Sequence, residues 1–141
     1  MTFMPRQLFR EEHDHFRDMV RKFCEEKIKP NHAKWAAEHK VPRELWRTAG
    51  ELGLLNAWLP EEYGGIGEGI LFDLIVTEEL GRAGTTGPGF PLHSLMSTPY
   101  IAEHGCDDIK ARLLPKMTSG EMIGAIAFTE PGAGSDLAAI K

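Results

Sequence analysis

Cysteine is scarce: Cys24 and Cys106 are the only two in 141 residues, far apart and without C-x-x-C spacing. That excludes a disulfide framework and a cysteine zinc site, and it predicts two reduced, partly buried thiols in a reducing compartment, with the cytoplasm as the location. No run of about 18 apolar residues occurs, and Met1 to Arg10 has no apolar stretch, so neither a membrane span nor a signal peptide is expected. Basic clusters are missing as well, and the net charge of -5 argues against a nucleic-acid or anionic-membrane surface. There is no G-x-G-x-x-G, no G-K-[ST] and no G-x-S-x-G, which leaves a dinucleotide loop, a P-loop and a hydrolase elbow unsupported. Neither an internal repeat nor a low-complexity segment is present.

What is there is the composition of one globular domain with a real core, 42% hydrophobic and 26% charged. From Leu8 to Ile28, Phe9, Phe16, Met19, Val20, Phe23 and Cys24 recur at helical period, and Pro30 interrupts the pattern before a shorter segment with Trp35. A second helix is predicted from Pro42 in its first turn to Gly53, with Leu45, Trp46, Ala49 and Leu52 inward. After the turn residues Pro60 and Gly64-Gly65, the positions Ile70, Leu71, Leu74, Ile75, Val76 and Leu80 describe a helix apolar around much of its circumference, suited to the centre of a bundle. Leu92 to His104 reads as a helix kinked at Pro99. Ile109, Leu113, Leu114 and Met117 give the last helix its buried face, with Pro115 distorting its end and Gly120 stopping it. From Met122 the character changes: Ile123, Ile126 and Phe128, threaded with Gly124, Ala125 and Ala127, suit a strand onto which something packs closely. The expected fold is therefore all-α, an orthogonal up-down helical bundle over 1–121, followed over 122–141 by the first strand of a truncated β domain.

Several residues invite chemistry and are better read as structure. His13 and His15, two apart on a helix, point about 200° away from each other and cannot share a metal, so they read as a solvated face and no metal site is expected. His93 and Ser94 are adjacent and do not face each other as base and nucleophile would. The pairs Glu11-Glu12, Glu25-Glu26, Glu61-Glu62 and Glu78-Glu79 read as surface or turn charge, and none is a candidate base.

The stretch Ala125 to Asp136 is different. An apolar run delivers the Thr129 hydroxyl, then come Pro131, Gly132 and Gly134, and then Ser135 followed by Asp136. Nothing there builds a core. The two glycines permit positive φ, so successive N–H groups could converge into an anion-binding nest, with a plain surface turn as the alternative.

Thr129-Glu130-Pro131-Gly132-Ala133-Gly134-Ser135-Asp136 resembles the signature of the acyl-CoA dehydrogenase family, and Pro42-Arg43-Glu44-Leu45-Trp46, Pro60-Glu61-Glu62-Tyr63-Gly64-Gly65-Ile66-Gly67, Glu78-Glu79-Leu80 and Leu114-Pro115-Lys116-Met117 fall in that family's order. Gly87-Pro88-Gly89-Phe90 and His93-Ser94 look most like its long-chain branch. The resemblance implies an FAD enzyme that desaturates acyl-CoA thioesters, passes electrons to an electron-transferring flavoprotein and works as a homo-oligomer. By the same resemblance, Ile126, Ala127, Phe128 and Thr129 meet the flavin's polar edge, Gly134 lets the loop approach the ligands, and Ser135 stands where flavin and acyl-CoA join. Pro88, Phe90, Leu92, Leu95 and Met96 are implied for the acyl-chain wall, although Leu95 is bulkier than the small residue expected at that depth in long-chain enzymes. The family's base is a glutamate for which this sequence has no matching residue, so it is expected beyond Lys141 and the chain alone is expected to be inactive. A helical module that binds an acyl or CoA group without chemistry is the competing reading.

Overall fold

The computed structural model describes residues 8–85 and 87–140. The expected all-α bundle is present. Its helices are α1 (Glu11–Phe23), α2 (His32–Glu38), α3 (Arg43–Glu51), α4 (Leu71–Arg82), α5 (Thr98–His104) and α6 (Asp107–Thr118). The core gathers Phe16, Val20 and Phe23 of α1, Leu45, Trp46 and Ala49 of α3, and Phe72, Ile75, Val76 and Leu80 of α4, with Phe90 among them.

Two prolines shape the helical path through the turns before them. Cys24–Ile28 and Leu92–Ser97 are π-helical, and each ends two residues ahead of a proline, Pro30 and Pro99. A proline has no N–H to give the carbonyl four residues back, so the preceding turn widens to i→i+5 pairing. The kink expected at Pro99 is thus a wide turn followed by a fresh helix, α5, with the proline in its first turn.

Helix α3 begins one residue later than predicted, with Pro42 as its N-cap, and Gly53 at φ +68° closes it. Leu52, expected inward, is exposed. The end of α6 docks on α3 through bare backbone: a Cβ on Gly120 would lie 2.1 Å from the Trp46 carbonyl oxygen, and one on Gly50 would lie 2.3 Å from the Ser119 carbonyl carbon. Glycine at both positions lets the two backbones touch.

Helix α4 packs on α1 but not as the sequence suggested. Its apolar residues do not all face inward: Ile70, just before the helix, is 52% exposed and Leu74 is exposed too, whereas Asp73 and Glu79 are buried. Glu79, expected at the surface with Glu78, is 2% exposed. It accepts two hydrogen bonds from Arg21, one on each oxygen at 3.0 Å, one from Arg82 at 2.9 Å and one from Arg17 at 3.3 Å. Burial pushes its pKa up, but the three guanidiniums outweigh burial and hold it below the ordinary carboxylate range. His13 also departs from the solvated reading: it is buried, stacks on Phe72 with centroids 4.7 Å apart, and its Nδ1 accepts the Arg10 N–H at the start of α1. His15 is exposed as expected. Cys24 is buried and its thiol is pushed up to about 11 by burial, while Cys106, expected partly buried, is exposed.

Among the described residues no strand forms. Residues 121–122 form a bend and 123–129 have no regular secondary structure, and the sole ladder-like feature beyond them is the bridge between Glu130 and Ala133. A strand exists only through its neighbours, and none is within reach of this segment.

Candidate functional site

The site is assembled by the wide turn Leu92–Ser97, α5 and the segment 122–128. Ser97, Tyr100, Ile101 and Met117 face Met122 to Phe128 across a groove of 380 Å³. Tyr100 and Phe128 meet with ring centroids 6.2 Å apart at 61°, which seats the segment against α5. A second groove, 350 Å³, runs over Leu95, Met96, Pro99, Tyr100, Glu103 and His104. Tyr100 borders both grooves, so the predicted acyl wall and the predicted flavin-facing segment adjoin at one side chain.

Not every predicted residue reaches this place. Phe90 is 1% exposed, packs edge-on against Trp46 at 4.8 Å and belongs to the core, and Pro88 is likewise buried; neither lines a groove. Leu92 and Met96 are exposed and Leu95 is half-buried. Ile126 is half-buried, and Ala127, Phe128 and Thr129 are exposed. Gly134 and Ser135 lie further out on an exposed turn closed by Glu130 N–H to Ala133 O at 2.9 Å and the reverse bond at 3.1 Å. Neither Gly132 nor Gly134 takes a positive φ, so the expected nest does not form; Pro131 and Gly132 make an ordinary tight turn. A Cβ on either glycine would meet nothing within 4 Å.

The chemistry of the segment fits a flat, acceptor-rich ring. Among the described residues, the N–H groups from Ala125 to Thr129 and the Thr129 hydroxyl have no protein partner. They form a row of unspent donors beside a groove lined largely by apolar and aromatic groups. No cluster of three metal-ligating side chains occurs among the described residues.

Behind the groove lies a polar layer that sequence reasoning missed. His93, without exposed surface, places Nε2 2.9 Å from the Met117 carbonyl oxygen, while Nδ1 accepts the Gly124 N–H at 2.9 Å. Burial holds its pKa below the ordinary histidine value, partly countered by the bond to Met117. Ser94 Oγ accepts the Asn56 N–H at 2.9 Å, and Trp58 Nε1 donates to the Ser94 carbonyl at 2.8 Å. Asp73 Oδ2 accepts the Trp58 N–H at 2.9 Å, and Oδ1 is buried without a partner. Burial pushes Asp73 up to about 7, with backbone N–H groups opposing the rise. The residue types gave no warning of this, because most partners are backbone groups.

Asp73 carries a testable pH signature. A folded-state pKa above the ordinary value means its stabilisation is full below the usual aspartate range, falls as pH rises, and is gone above about 7. Asp73→Asn keeps an acceptor for Trp58 and cannot ionise, so its stability relative to wild type should improve as the buffer is moved from about pH 5 to about pH 8. Urea midpoints at both pH values measure this, and a constant difference would discount the assignment.

This geometry is an all-α bundle that carries a donor-rich segment and a Thr-Glu-Pro-Gly-Ala-Gly-Ser-Asp turn, and known proteins share it. Residues 10–121 match the family model described as "Acyl-CoA dehydrogenase, N-terminal domain", and the chain belongs to the acyl-CoA dehydrogenase family. It is 48% identical over 136 residues to the long-chain specific acyl-CoA dehydrogenase, mitochondrial, of Sus scrofa, covering 96% of this chain and 32% of that protein. Among solved structures, an acyl-CoA dehydrogenase from Geobacillus kaustophilus superposes with a TM-score of 0.89 at 42% identity over 95% of this chain and 35% of its own. An acyl-CoA dehydrogenase complexed with FAD from Bacillus anthracis gives 0.83 at 34% identity, over 96% of this chain and 24% of its own. The chain thus spans about a third or less of the length of these relatives. No helix among the described residues is long and apolar enough to cross a membrane.

Proposed function

We propose that this chain forms one wall of the flavin and acyl-CoA site in an acyl-CoA dehydrogenase that desaturates acyl-CoA thioesters. The observation that carries the reading is the row of unpartnered donors from Ala125 to Thr129, held against Tyr100 and ending in a free hydroxyl. Bound FAD would supply the acceptor for the hydride leaving the substrate's β carbon. This chain's residues bind and orient. The N–H groups of Ile126 to Thr129 and the Thr129 hydroxyl would hydrogen-bond the ring's polar edge, and Phe128 and Tyr100 would exclude water from it. Ser135 would sit at the mouth of the site, and Leu92, Leu95 and Met96 would line the acyl chain, with Pro88 and Phe90 backing that wall from the core. Electron transfer to an electron-transferring flavoprotein and assembly as a homo-oligomer belong to the same reading. The name of the Sus scrofa relative is that of a mitochondrial protein, so for this chain the location is proposed only as a compartment that keeps Cys24 and Cys106 reduced. The 141-residue chain by itself is proposed to lack turnover, because no described carboxylate stands in the groove beside Thr129.

Thr129→Val tests the reading, since it keeps the shape and deletes the hydroxyl. Removing the donor of one buried hydrogen bond should weaken FAD retention by about 1 to 3 kcal/mol, read by flavin fluorescence released on dilution of the enzyme that carries this chain. Retention at the wild-type level would remove Thr129 from the site.

A further inference from the structure

We propose that His93 is a positioning residue: one ring, accepting the Gly124 N–H on Nδ1 and bonded through Nε2 to the end of α6, sets where the donor-rich segment leaves the bundle. The inference rests on the reading of Ala125 to Thr129 as flavin-facing, but its geometry stands independently.

The bonds assign the ring's proton. Gly124 N–H can donate only to an unprotonated Nδ1, so the proton is on Nε2, where it donates to the Met117 carbonyl oxygen. Asn56 Nδ2 lies 3.1 Å from the same nitrogen, so two donors oppose each other as placed; exchanging the amide's oxygen and nitrogen would turn Oδ1, which has no partner, toward the ring N–H. Trp46 closes the ring's flank edge-on at 5.4 Å. His93 is therefore bonded through both ring nitrogens, which assigns it one tautomer.

Gly124 is the last residue of the segment that the bundle holds by its backbone, ahead of the free donors. The approach is so close that a Cβ there would lie 2.7 Å from the Ser97 Cβ and 3.0 Å from the Met117 Cε. The next backbone bonds are those of the Glu130–Ala133 turn. Between them the segment meets the bundle through side chains, Phe128 against Tyr100 among them, so His93 is its last backbone anchor on the bundle. Because His93 belongs to the same wide turn as Leu92, Leu95 and Met96, a shift of the acyl wall moves the flavin-facing donors with it.

Two substitutions separate the ring's two nitrogens. Asn at 93 carries an oxygen where Nδ1 was and can still accept from Gly124; Gln reaches the Nε2 position and leaves Gly124 without its acceptor. In the 141-residue chain, amide exchange at Gly124 followed by NMR should stay near wild type in His93→Asn and become about tenfold faster in His93→Gln. In the wild type, ¹⁵N spectra of the imidazole should show Nδ1 unprotonated and Nε2 protonated. Equal exchange at Gly124 in two folded variants, or a proton on Nδ1, overturns the proposal; if neither variant folds, the wild-type tautomer decides alone. In the FAD-loaded enzyme, His93→Gln should shift the flavin absorbance bands and His93→Asn should not. Faster Gly124 exchange with unchanged flavin bands would leave the anchor standing and remove the flavin-facing reading instead.

Discussion

Gly120→Ala is expected to destabilise the bundle by at least about 3 kcal/mol, more than any other single change considered. Two costs add. The added Cβ would sit 2.1 Å from the Trp46 carbonyl oxygen and 2.5 Å from its carbon, both backbone atoms that cannot rotate away. The residue also has φ +74°, a conformation that an L side chain resists. Relief requires the end of α6 to lift from α3, which also pulls on Met117 and through it on His93. Gly50→Ala attacks the same contact from the other side, where its Cβ would meet the backbone of Ser119. Gly132→Ala is the control, because nothing lies within 4 Å of its Cβ. Urea unfolding followed by helical circular dichroism reads all three. A Gly120→Ala protein as stable as the Gly132→Ala protein would mean that α3 and α6 do not touch as described.

Glu79→Ala should cost about 3 kcal/mol by the same measurement. The effect comes from losing the buried point on which Arg17, Arg21 and Arg82 converge between α1 and α4, since their other partners, Glu78, Asp18 and Glu25, lie nearer the surface. Glu78 accepts a bond from Arg17 at 2.7 Å and lies nearer the surface than Glu79. Glu79→Gln preserves size but not charge and should recover only part of the loss. Because the folded-state pKa of Glu79 is lowered, its stabilisation is complete above the usual glutamate range and is lost as pH falls through the lowered value. A loss under about 1 kcal/mol for Glu79→Ala would place the network among surface ion pairs of little consequence.

The contrast between these two sites shows what a linear sequence exposes. Helix ends were legible where the rule is local: Pro42 beside the start of α3, Gly53 and Gly120 after the ends of α3 and α6. The Thr129 to Asp136 turn was legible because its eight residues are contiguous. Glu79 was not, since Glu78-Glu79 has the composition of a solvated face, and two of its three partners come from α1, far away in the chain. The role of His93 leaves no trace in the sequence, because its main partners are the backbone of Met117 and Gly124 and carry no residue-type signature. The inward face of α4 was misjudged for a related reason. Apolar character was assumed to track burial, yet Asp73 and Glu79 found bonds inside while Ile70 and Leu74 stayed outside. The strand at Met122 to Phe128 was predicted from side chains alone, whereas a strand is a property of at least two segments.

The wide turn at Leu92–Ser97 bears on how this chain should be lined up with its relatives. A π-turn carries one residue more than an α-turn of similar height, so it is where a helix can absorb an insertion while its two ends stay in place. Deleting that surplus would turn the upstream part of the helix by about 100° relative to Thr98, carrying His93 away from Gly124. Any alignment that runs gap-free through 92–97 against a sequence lacking the bulge will therefore pair wall residues with core residues. Acyl-chain preferences read across such a pairing would be assigned to side chains that face the wrong way.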